Sequence, residues 1–513
     1  MQNVLTGPML AEPPVRTLFE ALERVALRPG PCVTVHAAGR RDTLTGPEVA
    51  SLAMRWARAL HDQGVRAGDR VGLLLPNDER FVGAFFGCQS LGAVAVPLSW
   101  PVSLVDIRGT LAHLAPIVAD AAPVALVTTP SIALMAPFGG LPVLVEPAAS
   151  ADGFPADAHP PSLHDPAFLQ YTSGSLGRPR GVVIPHRAAA ASAWSMGQAL
   201  GLGPDDVGVS WLPLFHDMGL VGSLLCPLIV GFPLHLLSPG EFLLHPGRWL
   251  RCISEVRGTV SAAPDFAYGL VTRRVRDLDG LDLSSWRHAL DGAEPVHRAT
   301  LQAFAARFGP VGFRADALHP VYGLAENTLG VCFGEAAEPD RVWQGRTVVS
   351  VGRPLPGMQV KVAENGEVLV RGPARMDGYF GDALATADAF RDGWLHTGDL
   401  GFLADGRLYL TGREKDLVIQ NGRKFHPYDI ERIAAAAVDA VANGAAAFAD
   451  ADEALVVVVE AGTRVEDVET RVRGELLATL GVRPDRVVRV APGDLPRTTS
   501  GKLRRTECVE RYA

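Results

Sequence analysis

Residues 48–61, which include VASLAMRWARAL, place apolar side chains at the three-and-four spacing of one helix face. A polar turn, RAGD, follows, and the short apolar run over 70–75 then predicts a strand. The pattern predicts a helix over 79–91 and a second strand over 93–97, and further strands at 124–128, 182–184 and 234–237. Strand–helix–strand alternation of this kind implies a layered α/β architecture with largely parallel sheets. From about residue 350 the texture changes to short strands separated by turns (MQVKV, GEVLVRG, GRLYLTGR), which predicts a β-rich subdomain. After Arg413 a compact α+β segment runs to the end, with a helix near 429–440 and a strand at 455–460.

One apolar stretch has the length of a membrane span. Residues 218–237 contain no Asp, Glu, Lys or Arg over 20 positions. They also carry Pro227, Pro233 and three glycines, with Asp217 and Glu241 close on either side, so a buried helix followed by a buried strand is expected.

At 513 residues the chain exceeds one ordinary core, so two or more domains are expected. Charged residues make up 20% and hydrophobic ones 48%, a globular rather than disordered composition. A net charge of −8 argues against a general nucleic-acid binder. The six cysteines lie far apart, with no CxxC pair and no metal-ligand spacing, as in reduced cytosolic proteins. The first fifteen residues lack the basic and apolar regions of a signal peptide, and a cytoplasmic location is expected.

The chemistry concentrates first in residues 171–181, YTSGSLGRPRG. Glycines there let the backbone approach a ligand, and the N–H groups of such a turn form a nest for anions. Thr172, Ser173 and Ser175 offer hydroxyl donors to phosphate oxygens, and Arg178 and Arg180 offer positive charge. Read alone, the run fits an exposed polar turn equally well.

Five further motifs follow in order: WLPLFHDMGL (211–220), DGAEP (291–295), YGLAE (322–326), HTGDLG (396–401) with GREKD (412–416), and PRTTSGK (496–502). With these the chain resembles the adenylate-forming superfamily of acyl-CoA synthetases, fatty acyl-AMP ligases, adenylation domains and luciferases. HDMGL, GAEP, YG-x-AE and the GRKFHPYDIE after GREKD are most similar to the fatty acyl-AMP ligase branch. The resemblance implies a large N-terminal AMP-binding domain over 1–412, its β-rich part at about 350–412. A small, mobile C-terminal domain would follow over 413–513, with a hinge near Lys415.

The implied reaction activates a carboxylic acid in two steps. The acid's carboxylate attacks the α-phosphate of ATP, releasing pyrophosphate, and a thiol then displaces AMP to give a thioester. Both steps concentrate negative charge, so positioning and electrostatics should dominate catalysis. By the resemblance, Thr172, Ser173 and Ser175 hold the outer phosphates, and Glu326 binds Mg2+. Tyr322 and Gly323 flank adenine, whose pocket Gly292, Ala293 and Glu294 also line. Asp399 accepts from the ribose hydroxyls, with Arg413 beside it. Lys502 bridges the carboxylate and the α-phosphate as a mobile charge. His216 and its neighbour Phe215 gate the acyl pocket, with Asp217 fixing the ring tautomer and Phe266 on the pocket wall. His186 reads as structural. Rotation at Lys415 would exchange Lys502 for a pantetheine tunnel bordered by Gly422.

The acceptor thiol is either coenzyme A or a carrier-protein phosphopantetheine. Only 24 residues, 327–350, separate Glu326 from Val351, where fatty acyl-AMP ligases carry a long insertion that restrains the C-terminal domain. That departure favours acyl-CoA formation from a hydrophobic acid, with a ligase that loads a carrier protein as the alternative. In the phosphate loop the superfamily has two adjacent hydroxyl residues and a lysine; this chain has Ser175-Leu176 and Arg180. A lost charge-assisted donor costs about 1.5–3 kcal/mol. The adenylation step is therefore expected to be weak or delegated to a separate adenylating enzyme. A non-catalytic nucleotide- or acyl-binding module is the rival of another class. No G-x-S-x-G elbow or Walker-type phosphate loop occurs, which argues against a serine hydrolase or a P-loop ATPase.

Overall fold

The computed structural model describes the chain apart from residues 1–3, 38, 102–106, 136–139, 151–159, 173–178, 344, 421–422, 439, 441–443, 451–453, 464 and 498–502. Two large sheets form its centre. The first has nine strands, with Leu318–Gly323, His288–Asp291, Val260–Ala263, Gly208–Ser210, Leu234–Leu237 and Pro31–Ala37 side by side and parallel. Antiparallel strands close both edges, Arg40–Thr45 on one side and Gly330–Phe333 with Arg353–Pro354 on the other. The second sheet has seven strands, and Pro166–Thr172, Val94–Pro97, Arg70–Leu73, Ala125–Val127 and Val143–Leu144 are its parallel part.

The helix expected over 79–91 forms as Glu79–Leu91, capped by the Asp78 side chain and ended by Gly92 in the left-handed region. Every residue from Phe81 to Leu91 is buried, so this helix is part of the core rather than an amphipathic cover. It packs against the amphipathic helix Gly46–Asp62, which starts with a capping box at Thr45 and Glu48.

The stretch 218–237 is buried structure, as its prolines and glycines imply. A π-helix over Met218–Leu225 runs into the α-helix Cys226–Val230, and the strand Leu234–Leu237 follows. No helix among the described residues is long and apolar enough to cross a membrane. All six cysteines are buried thiols without disulfides.

In one respect the topology corrects the expectation of parallel alternation. The apolar run at 182–184 lies in Arg180–Pro185, which pairs antiparallel with Pro166–Thr172. The connection, residues 173–179, is too short for a parallel crossover, which needs a dozen residues or more. Gly378–Tyr379 then adds a further antiparallel strand on the outer side of Arg180–Pro185.

The β-rich texture after residue 350 becomes a six-stranded antiparallel sheet of Gln359–Val362, Glu367–Arg371, Trp394–Ala404, Phe390–Arg391 and Arg407–Arg413, completed by Leu5–Thr6 from the start of the chain. Beyond the 3-10 turn Glu414–Asp416 and the hairpin Val418–Gln420 with Arg423–Phe425, a three-stranded sheet of Ala445–Ala449, Leu455–Glu460 and Arg486–Val490 packs with the helices Pro427–Ala437, Val468–Leu480 and Arg505–Tyr512. Its two faces bury their own apolar clusters, one around Ile430, Val457 and Leu476 and one around Phe448, Val456 and Cys508.

Candidate active site

The C-terminal ends of the parallel strands, the six-stranded sheet and the C-terminal α+β segment surround one cavity of about 2980 Å3. Single-ligand pockets run to about 300–1,000 Å3, so this space accommodates a nucleotide and further groups together.

Tyr322, next to the end of the strand Leu318–Gly323, points its hydroxyl at Asp399, donating to Oδ2 over 2.7 Å. The strand bulges between Tyr322 and Gly323, where a Cβ on Gly323 would lie 2.2 Å from the Leu329 carbonyl oxygen, so only glycine fits. Asp399 and Arg413 face each other across the strands Trp394–Ala404 and Arg407–Arg413, and Arg413 Nε donates to Asp399 Oδ1 over 2.8 Å. The Asp399 backbone N–H donates to Thr397 Oγ1 over 3.1 Å. Both oxygens of this buried carboxylate are thus oriented, each with a lone pair to spare. Burial and then the Asp399 charge push the Tyr322 phenol well above its ordinary range, so it remains a donor. The same carboxylate raises the Arg413 guanidinium.

A second carboxylate lies nearby. Glu326 sits in the 3-10 turn Ala325–Asn327, and its Oε1 accepts from the Tyr379 hydroxyl over 2.9 Å. The Tyr379 ring carries the Arg180 guanidinium 5.2 Å from its centroid. Burial and then the Glu326 charge hold the Tyr379 phenol above its usual range, in its protonated form. Among the described residues no cluster of three or more side chains suits a metal ion. Glu326 alone fits the way Mg2+ is bound on substrates, through one or two carboxylates together with phosphate oxygens and water.

Thr172 and Arg180 are the last pair of the antiparallel strands Pro166–Thr172 and Arg180–Pro185, beside the connecting segment, and both line the cavity. Ser173, Ser175, Leu176 and Arg178 themselves lie outside the described residues, as do Gly422 and Lys502. Arg497 and Leu503, on either side of the Lys502 segment, line the cavity. Lys415 lies in the turn Glu414–Asp416 and also faces it; burial and then Arg413 lower its ammonium pKa.

Ala293 and Glu294 line the cavity, and Ala293 adopts φ +67°. A left-handed conformation costs a non-glycine residue about 1–3 kcal/mol and is retained mostly where a site requires it. Gly292 is fixed from behind by its N–H to the Ala263 carbonyl at 3.3 Å. Glu294 Oε1 accepts from the Phe266 N–H over 2.5 Å. Phe266 turns its ring to Trp211, edge-on at 6.3 Å, and is not among the cavity-lining residues. Beneath this segment Asp291 is fully buried, and burial with the neighbouring Asp265 and Glu294 charges holds its carboxyl far above the ordinary 3.8.

Phe215, His216 and Asp217 stand where the polar end meets an apolar end lined by Met196, Met218, Gly222, Cys226 and Phe232. His216 Nδ1 lies 2.6 Å from Asp217 Oδ1, the contact expected to orient the ring. The π-helix Met218–Leu225 begins directly after it; such bulged turns recur at functional sites. His186 is remote from this chemistry. Its Nδ1 accepts from the Leu18 N–H over 3.1 Å, and burial lowers its pKa to about 4, so it is a neutral structural residue.

Sequence reasoning passed over three contributors. Tyr379 gave no local signal, and Thr397 lies within HTGDLG but was given no role of its own. The hairpin Arg341–Trp343 with Arg346–Val348 occupies the short segment before Val351. From it Arg346 reaches Asp429 over 2.8 Å and the Thr411 carbonyl over 2.5 Å, while Trp343 stacks on Phe402 at 4.7 Å. The short segment thus ties the β-rich sheet to the helix Pro427–Ala437.

A cavity lined by both these polar groups and apolar side chains suits an enzyme that activates acids through adenylates. The chain belongs to the family of AMP-binding enzymes, whose model matches residues 22–380. It is 34% identical over 556 residues to the long-chain-fatty-acid–AMP ligase FadD26 of Mycobacterium tuberculosis, covering 92% of each chain. It is also 34% identical to the medium-chain-fatty-acid–[acyl-carrier-protein] ligase JamA of Moorena producens, covering 87% of this chain and 86% of JamA. Among solved structures, one from work on fatty acyl-adenylate ligases of E. coli and L. pneumophila superposes with a TM-score of 0.89 at 35% identity, covering 98% of this chain and 99% of that one.

Proposed function

We propose that this enzyme converts a hydrophobic carboxylic acid to its acyl adenylate and passes the acyl group to a phosphopantetheine thiol on a carrier protein. The observation that carries the reading is the Tyr322–Asp399–Arg413 trio set beside the Tyr379–Glu326 pair at the mouth of an apolar recess. In this reading Tyr322, Ala293 and Glu294 flank adenine, and the oriented Asp399 oxygens accept from the two ribose hydroxyls. Thr172, Ser173, Ser175 and Arg180 face the outer phosphates. Glu326 would hold Mg2+, which when bound neutralises the departing pyrophosphate. Lys502 would keep the acid's carboxylate oxygen on the α-phosphate; that O–P bond forms as the bond to pyrophosphate breaks. His216 and Phe215 separate this polar chemistry from the acyl chain. A thiolate then attacks the acyl carbonyl carbon and AMP leaves, with Lys415 as the hinge and Gly422 beside the incoming arm.

The names of the relatives divide between the two acceptors: JamA is named for a carrier protein, and FadD21 of Mycobacterium tuberculosis, also 34% identical, for coenzyme A. One observation on this chain favours the carrier protein. The Arg346 tie supplies a restraint on the C-terminal segment where a long insertion is missing. The placement of the Arg180 guanidinium on the Tyr379 ring, close to Glu326, supports an adenylation step carried out by this chain itself. The test offers a synthetic fatty acyl-AMP with either holo-carrier protein or coenzyme A. Acyl transfer to the carrier at least tenfold faster than to coenzyme A is expected; the reverse order would return the acceptor to coenzyme A.

A further inference from the structure

We propose that Tyr379 is a positioning residue that sets Glu326 and Arg180 as one unit at the phosphate end of the cavity. The assignment rests on the adenylation reading above. Its hydroxyl donates to Glu326 Oε1 over 2.9 Å, and its ring face carries the Arg180 guanidinium at 5.2 Å. One side chain therefore touches both the carboxylate suited to a divalent cation and the cation at the exit of the phosphate hairpin.

The backbone around Tyr379 makes the same connection. Met376 N–H donates to the Glu326 carbonyl over 2.9 Å, and Phe380 N–H donates to the Gly181 carbonyl over 2.7 Å. Between them, Asp377 N–H donates to the Val183 carbonyl over 3.0 Å, and Gly378 and Tyr379 pair with Val183 and Val182. The Tyr379 N–H is itself held by Thr386 Oγ1 at 2.9 Å. Residues 376–380 thus form a strap from the turn bearing Glu326 to the strand bearing Arg180. A shift of either end moves the other.

The two arms of the side chain separate by substitution. Tyr379→Phe removes the hydroxyl and keeps the ring under Arg180; Tyr379→Leu removes both. Calorimetric binding of AMP, pyrophosphate without metal, and ATP with and without Mg2+ reads the arms independently of turnover. For Tyr379→Phe the gain in ATP affinity from Mg2+ should fall about tenfold, as for a lost hydrogen bond to a charged group, with AMP and metal-free pyrophosphate unchanged. Tyr379→Leu should in addition weaken metal-free pyrophosphate by about fivefold, for a lost cation–π contact. An unchanged Mg2+ gain in Tyr379→Phe overturns the assignment, and so does a parallel loss of AMP affinity, the mark of a merely structural role. A wild-type protein that binds AMP but neither ATP nor pyrophosphate overturns the adenylation reading and this assignment together.

Discussion

At the polar end of the cavity Tyr322, Asp399 and Arg413 already bond together, as do Tyr379 and Glu326, whereas at the apolar end Met196, Met218, Gly222 and Cys226 present small or flexible side chains to the space. The polar groups come from strands and turns of different sheets, locked by backbone pairing across Asp399 and Arg413 and by the strap at 376–380. The apolar wall includes a π-helix with a glycine facing the cavity. Charge that develops during reaction is stabilised best by groups that need not reorganise. A methylene chain needs only volume, and methionine adapts to irregular volume at little cost. In the proposed reading the two ends divide the work: fixed geometry for phosphate and ribose, adjustable shape for the acid.

The largest effect should come from breaking the fixed end. Asp399→Ala removes the acceptor proposed for the ribose and leaves the buried Tyr322 hydroxyl and Arg413 without their partner. AMP affinity measured by calorimetry should fall about 100-fold or more, the loss of charge-assisted bonds on both sides. Loss within threefold would show that the trio is structural rather than nucleotide-binding.

The adjustable end should respond in kind of substrate rather than in nucleotide affinity. A Cβ on Gly222 would meet only Leu329 Cδ2, at 3.1 Å, the far end of a flexible side chain. Gly222→Ala should therefore be near neutral. Gly222→Leu fills the recess and should cut kcat/KM for long acids by about tenfold against short ones, the scale of one or two methylenes in an apolar pocket. AMP affinity should not change. A uniform loss across chain lengths would place the acyl group elsewhere.

The smallest effect concerns the floor of the polar end, where Asp291 is buried beside Asp265. The unfolded chain ionises this carboxyl near the usual 3.8, while the folded chain keeps it protonated to far higher pH. Above that value the folded state binds more protons, so this group's contribution to stability falls as pH rises. Asp291→Asn removes the dependence. Its melting temperature should gain on wild type by on the order of 1–3 °C between pH 5 and pH 8. A pH-independent difference contradicts the assignment of a buried neutral acid.

Much of this contrast was legible in the sequence, and the part that was not has physical reasons. Glu79–Leu91, Leu234–Leu237 and Leu455–Glu460 form at the positions that the local patterning indicates, because apolar runs and end signals are properties of neighbouring residues. Tyr322, Glu326, Asp399 and Arg413 were nameable as candidates because each sits in a short run of neighbouring residues that resembles a motif of the superfamily. The direction of Arg180–Pro185 was open to reading from its short connection to Pro166–Thr172. Leu5–Thr6 pairs with Gln359–Val362 across most of the chain, and no window along the sequence carries that contact. Tyr379 is equally hidden, since its meaning lies in two partners from remote segments. The π-helix has no distinct periodicity over eight residues, so its stretch read only as buried.

Acid-dependent ATP–pyrophosphate exchange by the wild-type enzyme, scanned over fatty acids of increasing length, tests the central claim most directly. The account predicts exchange that requires both a hydrophobic acid and Mg2+ and that Lys502→Ala abolishes. Absence of exchange with every acid, while synthetic acyl-AMP is still converted to thioester, would contradict it and leave this chain with the transfer step alone.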